Sequence, residues 1–262
     1  MIPAMIKTQA IFLFAHQDDE CFAFRLIAKE LEAEREVWCV YFTDGGVKSS
    51  RRNVESLRVL GGMGVSVARI LFAGERLGIR DGKLLSSLSV CASGLREILS
   101  MQRNVGAVYV PAWEGGHPDH DALHFAAATV IEKAGMFDRL FQFSLYNAYK
   151  LPKPFFRVMS PLEENGDVLK VAIPLSQRWR HAYNCFRYPT QWISWFDLFP
   201  LAAFSYLAGR QYFQAARLER LGSRPHEGTL YYEARGLGKW DTVEKVLNRF
   251  ASDAGVDEHQ GV

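Results

Sequence analysis

Cysteine is scarce in this chain, with four in 262 residues. Cys21, Cys39, Cys91 and Cys185 are far apart and form no C-x-x-C pair. A disulfide framework is excluded on that spacing, and a reducing, cytoplasmic setting is expected. Charge of one sign is also missing: 31 Lys+Arg face 29 Asp+Glu, a formal net charge of +2. No Lys/Arg run stands out, so bulk electrostatics gives no case for nucleic acid or an anionic membrane as a partner. Long apolar runs are absent too. Trp192 to Ala208 comes nearest and is broken by Asp197 and Pro200, so no transmembrane segment is expected. Met1 to Ala10 lacks the apolar core of a secretory leader. No G-x-G-x-x-G follows the first strand-like run, which disfavours a nucleotide-binding enzyme. Repeats, low-complexity tracts and interdomain linkers are lacking as well.

Short apolar runs alternating with amphipathic segments are what the chain does have. Gln9 to Phe14, Val37 to Phe42, Arg69 to Ala73 and Val105 to Val110 read as buried strands. Helical patterns follow them: from Asp18, from Ser49 (with Val54, Leu57 and Leu60 as its apolar side), over Leu84 to Met101, and from Asp121 to Ala134. Such alternation predicts an α/β fold with a Rossmann-like, mostly parallel sheet flanked by helices. A single domain is expected, with a core over residues 9–135 and a variable, mixed region over 136–250. In that region Leu140 to Asn147 reads as a fifth strand. Glu163 to Asp167 reads as a hairpin-like turn between Phe155–Met159 and Val168–Ile173. Residues after Ala251 read as a frayed tail.

Two polar clusters sit where a strand hands over to a helix. The first is Ala15-His16-Gln17-Asp18-Asp19-Glu20; the second is His117-Pro118-Asp119-His120. Right-handed crossovers would bring both to one rim of the sheet. Two imidazoles and a carboxylate on adjacent loops can hold a divalent cation on one face and leave the other open. Asp18, beside Asp19, is placed for a general base. Taken singly, these acids are ordinary helix-start residues; it is their conjunction that points to a site. His124 reads as structural, because the second turn of its helix points away. His226 reads either as a substrate contact closing over the pocket or as a surface loop residue. Trp113 reads as a packing residue. The aromatic stretch Trp192 to Phe213 reads as core or as a subunit interface, which leaves room for a homo-oligomer.

The first cluster resembles the A-H-P-D-D-E motif of the LmbE-like/PIG-L family of zinc-dependent N-acetylglucosaminyl deacetylases, and the second resembles its H-P-D-H motif. Thr43-Asp44-Gly45 and Arg52-x-x-Glu55 fall where that family has T-D-G and R-x-x-E. The resemblance spans residues 9 to 135. It implies His16, Asp19 and His120 as ligands of Zn²⁺ or another divalent metal such as Fe²⁺, and Asp18 as the general base. It implies His117 as the group that holds the oxyanion or protonates the leaving amine, with Asp119 orienting it. Arg52 is implied as a substrate contact at the pocket mouth. The implied substrate is a small N-acetylated sugar or glycoconjugate. Gln17 replaces the motif's proline, and loss of the fixed φ would loosen the loop. A second reading of the same residues is a catalytically silent metal-binding or scaffold protein of a glycan or natural-product pathway.

Overall fold

The computed structural model describes residues 7–254; Met1 to Ile6 and the tail from residue 255 lie outside them. The first half runs β1 (Gln9–Phe14), α1 (Phe24–Glu32), β2 (Glu36–Tyr41), α2 (Ser49–Met63), β3 (Ile70–Phe72), α3 (Ala73–Leu77), α4 (Leu88–Ser100), β4 (Val105–Pro111) and α5 (Pro118–Lys133). The second half runs β5 (Leu140–Phe143), β6 (Tyr146–Asn147), β7 (Arg157–Val158), β8 (Leu169–Lys170), α6 (Leu175–Asn184), α7 (Leu198–Leu207), β9 (Tyr212–Ala215), α8 (Tyr231–Ala234) and α9 (Trp240–Ala254).

Seven strands form one sheet in the order β3-β2-β1-β4-β5-β9-β8. β1 to β5 are parallel, and β9 and β8 add an antiparallel edge. The fold is therefore α/β, a mostly parallel mixed sheet with helices on both faces. β1 shows why its run is continuously apolar. Ile11 and Leu13 enter the core that also takes Leu95, Leu123 and Val243 from α4, α5 and α9. Phe12 and Phe14 enter the opposite core, with Leu26, Leu60 and Ala202 from α1, α2 and α7. Alternate side chains thus fill two different layers, as the strand pleat requires.

β1 lies between β2 and β4 in the sheet. Successive strands go one way from β1 and then the other, so the carboxyl ends of β1 and β4 border a topological switch point, where α/β sheets open a crevice. Both polar clusters leave from those two ends.

Several local expectations are corrected. The helical pattern from Asp18 begins as a 3-10 turn, Asp19–Phe22, before α1. α2 does not bury Val54, which is 50% exposed; it buries Arg52, Glu55 and Ser56 with Val59 and Leu60. The inward face is polar because it meets the site, and hydrophobic periodicity cannot detect such a face. The long third helix is preceded by a separate 3-10 turn, Leu85–Ser87. α5 starts at Pro118 rather than Asp121, because His117 caps it by accepting from the Asp119 N–H. Glu163 to Asp167 is no hairpin: β7 pairs with β6, whereas β8 pairs with β9. Leu140 to Asn147 divides into β5 and β6, which belong to different sheets. No helix among the described residues is long and apolar enough to cross a membrane. The four cysteines are free and buried.

Candidate metal centre

The loop after β1 is held by its own carboxylates. Asp19 Oδ2 accepts from the N–H of Ala15 at 2.9 Å and of His16 at 2.8 Å. Asp18 adopts a left-handed conformation, φ 118°, which is rare and strained for a non-glycine residue. Its N–H is held by Glu20 Oε2 at 2.9 Å. Glu20, fully buried, therefore supports the bend that presents Asp18. Thr43 locks the neighbouring loop from the end of β2, its hydroxyl donating to Ala15 O at 2.7 Å.

Gln17 does more than leave a proline out. Its side chain is buried, and Nε2 donates to Asn53 Oδ1 at 2.8 Å. A hydrogen bond to α2 thus tethers the loop where a fixed φ would otherwise do so. Gly45 leaves room for this: a Cβ there would lie 2.7 Å from Gln17 Oε1.

The second cluster sits on the first turn of α5. His117 is the N-cap, and its Nδ1 accepts from the Asp119 N–H at 3.1 Å. That leaves Nε2 as the nitrogen that carries the proton of a neutral ring. The Asp119 carboxylate turns elsewhere. It accepts from Gly82 N at 2.8 Å, from Leu84 N at 3.0 Å and from His16 Nε2 at 3.1 Å. Asp119 thus holds His117 through its backbone and His16 through its side chain. Gly116 lets this loop pass β6, since a Cβ would sit 2.3 Å from Tyr146 O.

The clusters meet across the switch point. His120 Nε2 lies 3.1 Å from Asp19 Oδ1. The ring centroids of His16 and His117 are 4.8 Å apart, and those of His16 and His120 are 5.2 Å apart. Two trios have ligand atoms within 4.8 Å of one another: His16, Asp19, His120 and His16, His117, Asp119. The first suits a cation better, because both Asp119 oxygens already take backbone N–H groups whereas Asp19 Oδ1 takes none.

The charges also fit a cation. Asp18, Asp19 and Asp81 act on one guanidinium, Arg52, while Asp119 adds a fourth carboxylate beside His16. Burial works to lower the His16 pKa, yet Asp119, Asp19 and Asp81 outweigh it and hold it well above the usual value. Burial works to raise that of Asp19, and His120 and His16 outweigh it in turn. Asp18 is pushed up to about 8, chiefly by burial, with Arg52 pulling the other way. His117 is driven down to about 3 by burial and by the neighbouring His16 and His120. A buried excess of carboxylates is stabilised by a divalent cation.

Arg52 is 9% exposed. Its guanidinium reaches Asp81 at 2.7 Å, Gln17 O at 2.8 Å, and Asp18 and Gly45 O at 3.3 Å each. His226 is buried away from both trios. Its Nδ1–H donates to Glu227 O at 2.7 Å, and its ring meets Tyr149. His124 donates from Nδ1 to Pro111 O at 2.7 Å, a structural bond. Trp113 is fully buried against His124, Phe125 and Trp240.

Sequence reasoning missed two residues, Asp81 and Tyr146. Asp81 lies 3.4 Å from His16 Nε2 and pairs with Arg52. The Tyr146 ring packs on His120, at 5.6 Å between centroids, and on Tyr231. Glu114 fixes that wall, accepting from Leu145 N, Tyr146 N and Asn147 Nδ2. No motif marks Asp81 or Tyr146; only the fold brings them in.

Residues 11–131 match the family model described as PIG-L: GlcNAc-PI de-N-acetylase. None of the curated proteins matches the sequence. Solved structures share the fold. One is a deacetylase of the teicoplanin biosynthesis pathway, with a TM-score of 0.61 and 14% identity over 79% of this chain and 97% of that one. Another is a zinc-inhibited form of teicoplanin deacetylase, with a TM-score of 0.60 and 13% identity over 79% and 97%. A third is N,N'-diacetylchitobiose deacetylase from Pyrococcus horikoshii, with a TM-score of 0.55 and 18% identity over 80% and 83%. Residues 11–131, a little under half of the chain, therefore match a PIG-L (LmbE-like) domain.

Proposed function

We propose that this protein is a metal-dependent N-deacetylase that removes an acetyl group from an amino-sugar-like substrate, a GlcNAc-type conjugate. The convergence of His16, Asp19 and His120 on one set of ligand atoms, with Asp18 beside them, carries the reading. The domain match and the likeness in fold to solved deacetylases support it.

His16, Asp19 and His120 would hold the cation. Their nitrogen and oxygen donors suit Zn²⁺ and also Fe²⁺. A divalent cation there supplies Lewis acidity, polarising the amide carbonyl and acidifying water. Asp18 takes the proton of the attacking water as its oxygen bonds to the carbonyl carbon. His117, neutral and protonated at Nε2, donates a hydrogen bond to the oxyanion that forms. The C–N bond then breaks, and the proton held by Asp18 passes to the nitrogen. A free amine and acetate leave. Arg52 positions Asp18 at the pocket mouth, where its outer edge can also meet substrate. Asp119 orients both histidines. Residues 136–250 shape the pocket, with Tyr146 and Tyr231 as one wall, and His226 supports that region from within. The buried thiols suit a reducing, cytoplasmic compartment.

Metal content and acetate release from a panel of N-acetylated amino sugars, measured on protein loaded with Zn²⁺ or Fe²⁺, test this. Stoichiometric metal with acetate release is expected. Bound metal with no acetate from any substrate would favour the silent metal-binding protein instead.

A further inference from the structure

Far from being a covered core, much of the aromatic stretch faces outward. α6 turns Leu175, Trp179 and Tyr183 to the outside at intervals of four residues, and Phe186 continues the stripe just past its end. Trp179 is 74% exposed. The Phe186 ring meets Trp195, and Trp192 meets Phe196, which is 81% exposed, so the 3-10 turn Pro189–Trp195 prolongs the stripe. α7 adds Leu201 and Phe204. The two helices are joined beneath, where His181 and Tyr206 stack with Phe24. Three of the six tryptophans of the chain lie on this one face.

Within the segment itself the charges are one-sided, although Glu32 of α1 meets α6 at Gln177 and Arg180 donates back to Gly62 O of α2. Residues 175–213 contain four arginines (Arg178, Arg180, Arg187 and Arg210) and a single acid, Asp197. Asp197 is occupied in accepting from the Leu198 N–H at the start of α7. Arg210 lies over the exposed Phe204 ring, 6.0 Å from its centroid. The balanced net charge of the whole chain conceals this local excess.

We infer that this face docks the protein on the surface of an anionic lipid bilayer. Protruding tryptophan and phenylalanine with flanking arginines suit the headgroup boundary, where aromatic rings are half-buried and cations meet lipid phosphates. A second copy suits it less well, because a two-fold contact would set the arginine cluster against itself. The face adjoins the metal centre. Thr190, in the same 3-10 turn, donates from its N–H to Glu55 at 3.0 Å, one turn along α2 from Arg52. Docking would present the pocket mouth to molecules at the lipid surface. This inference goes beyond the proposed deacetylation and does not rest on it.

Cosedimentation of the full chain with phosphatidylcholine vesicles, with and without phosphatidylglycerol, tests it. Binding is expected only with the anionic lipid and is expected to weaken in high salt. Arg180→Gln or Arg210→Gln should each weaken it roughly fivefold, and Trp192→Ser with Phe196→Ser should abolish it. Brominated lipids should quench the wild-type tryptophan emission. Circular dichroism checks folding; if the double variant is unfolded, Phe196→Ser alone replaces it. Failure of the wild type to bind anionic vesicles overturns the inference, as does binding that survives loss of the aromatics. A lipid-free dimer in light scattering that the same substitutions dissolve assigns the face to a second copy and overturns it too.

Discussion

One guanidinium bridges two carboxylates at the mouth of the site: Arg52 Nη2 lies 3.3 Å from Asp18 Oδ1, while Nη1 lies 2.7 Å from Asp81 Oδ2. The same group also takes Gln17 O and Gly45 O, so it ties the loops after β1 and β2 to α2. A lysine offers a single point charge and cannot span these partners. Arg52→Lys should therefore lower kcat on the order of 100-fold by misplacing Asp18. Metal content, which on the proposed reading depends on His16, Asp19 and His120, should stay near stoichiometric. Kinetics alongside metal analysis check this, and loss of metal in step with activity would assign Arg52 to the metal site instead.

Asp18 is the proton acceptor on this reading, and its neighbour Asp19 is the ligand. Asp18→Asn keeps the shape and removes the basic oxygen. Turnover should fall by about two to four orders of magnitude, the range of a general base. His120→Ala should lose metal and activity together. An Asp18→Asn enzyme with wild-type kcat would show that another group takes the proton.

Much of this was legible beforehand because the signals are local. β1 and β4 are continuously apolar, since both sheet faces are covered, and each ends in a cluster of His and Asp. What escaped was either polar or distant. The inward face of α2 is Arg52, Glu55 and Ser56, so the periodicity pointed to Val54, which lies half exposed. β8 and β9 pair only two residues each, Leu169 with Phe213 and Lys170 with Tyr212, and nothing local marks pairs so far apart. Asp81 reaches the centre from a turn and Tyr146 from the two-residue strand β6, and no motif marks either.

The Gln17 tether is testable apart from catalysis. Its hydrogen bond to Asn53 is partly buried, so Gln17→Ala should cost about 1 kcal/mol of stability. Asn53→Ala should cost a similar amount, since Asn53 also reaches Glu75 at 2.8 Å. A double-mutant cycle by urea unfolding should give a coupling of roughly 0.5–1 kcal/mol. Strict additivity would mean that the Gln17–Asn53 bond does not hold the loop.

His181 gives the fold a pH dependence separate from the metal centre. It is buried beside Phe24 and Tyr206, and neither ring nitrogen has a hydrogen-bond partner. Burial lowers its pKa to about 4, and Arg25 and Arg180 push the same way against Glu32. Its ordinary value is about 6.5. Between these values the unfolded chain takes up a proton that the folded chain does not. Stability therefore rises with pH through this window and is lost as the pH falls from 6.5 toward 4. Lowering the pH from 7 to 5 should cost about 2 kcal/mol through this residue. His124, lowered to about 4 by burial, acts in the same direction and remains in a His181→Leu variant. Urea unfolding of wild type and His181→Leu at both pH values isolates the His181 share, because any packing change from leucine is common to the two. The acid-induced loss should shrink by about 2 kcal/mol in the variant; an unchanged loss would mean that His181 titrates normally in the folded protein.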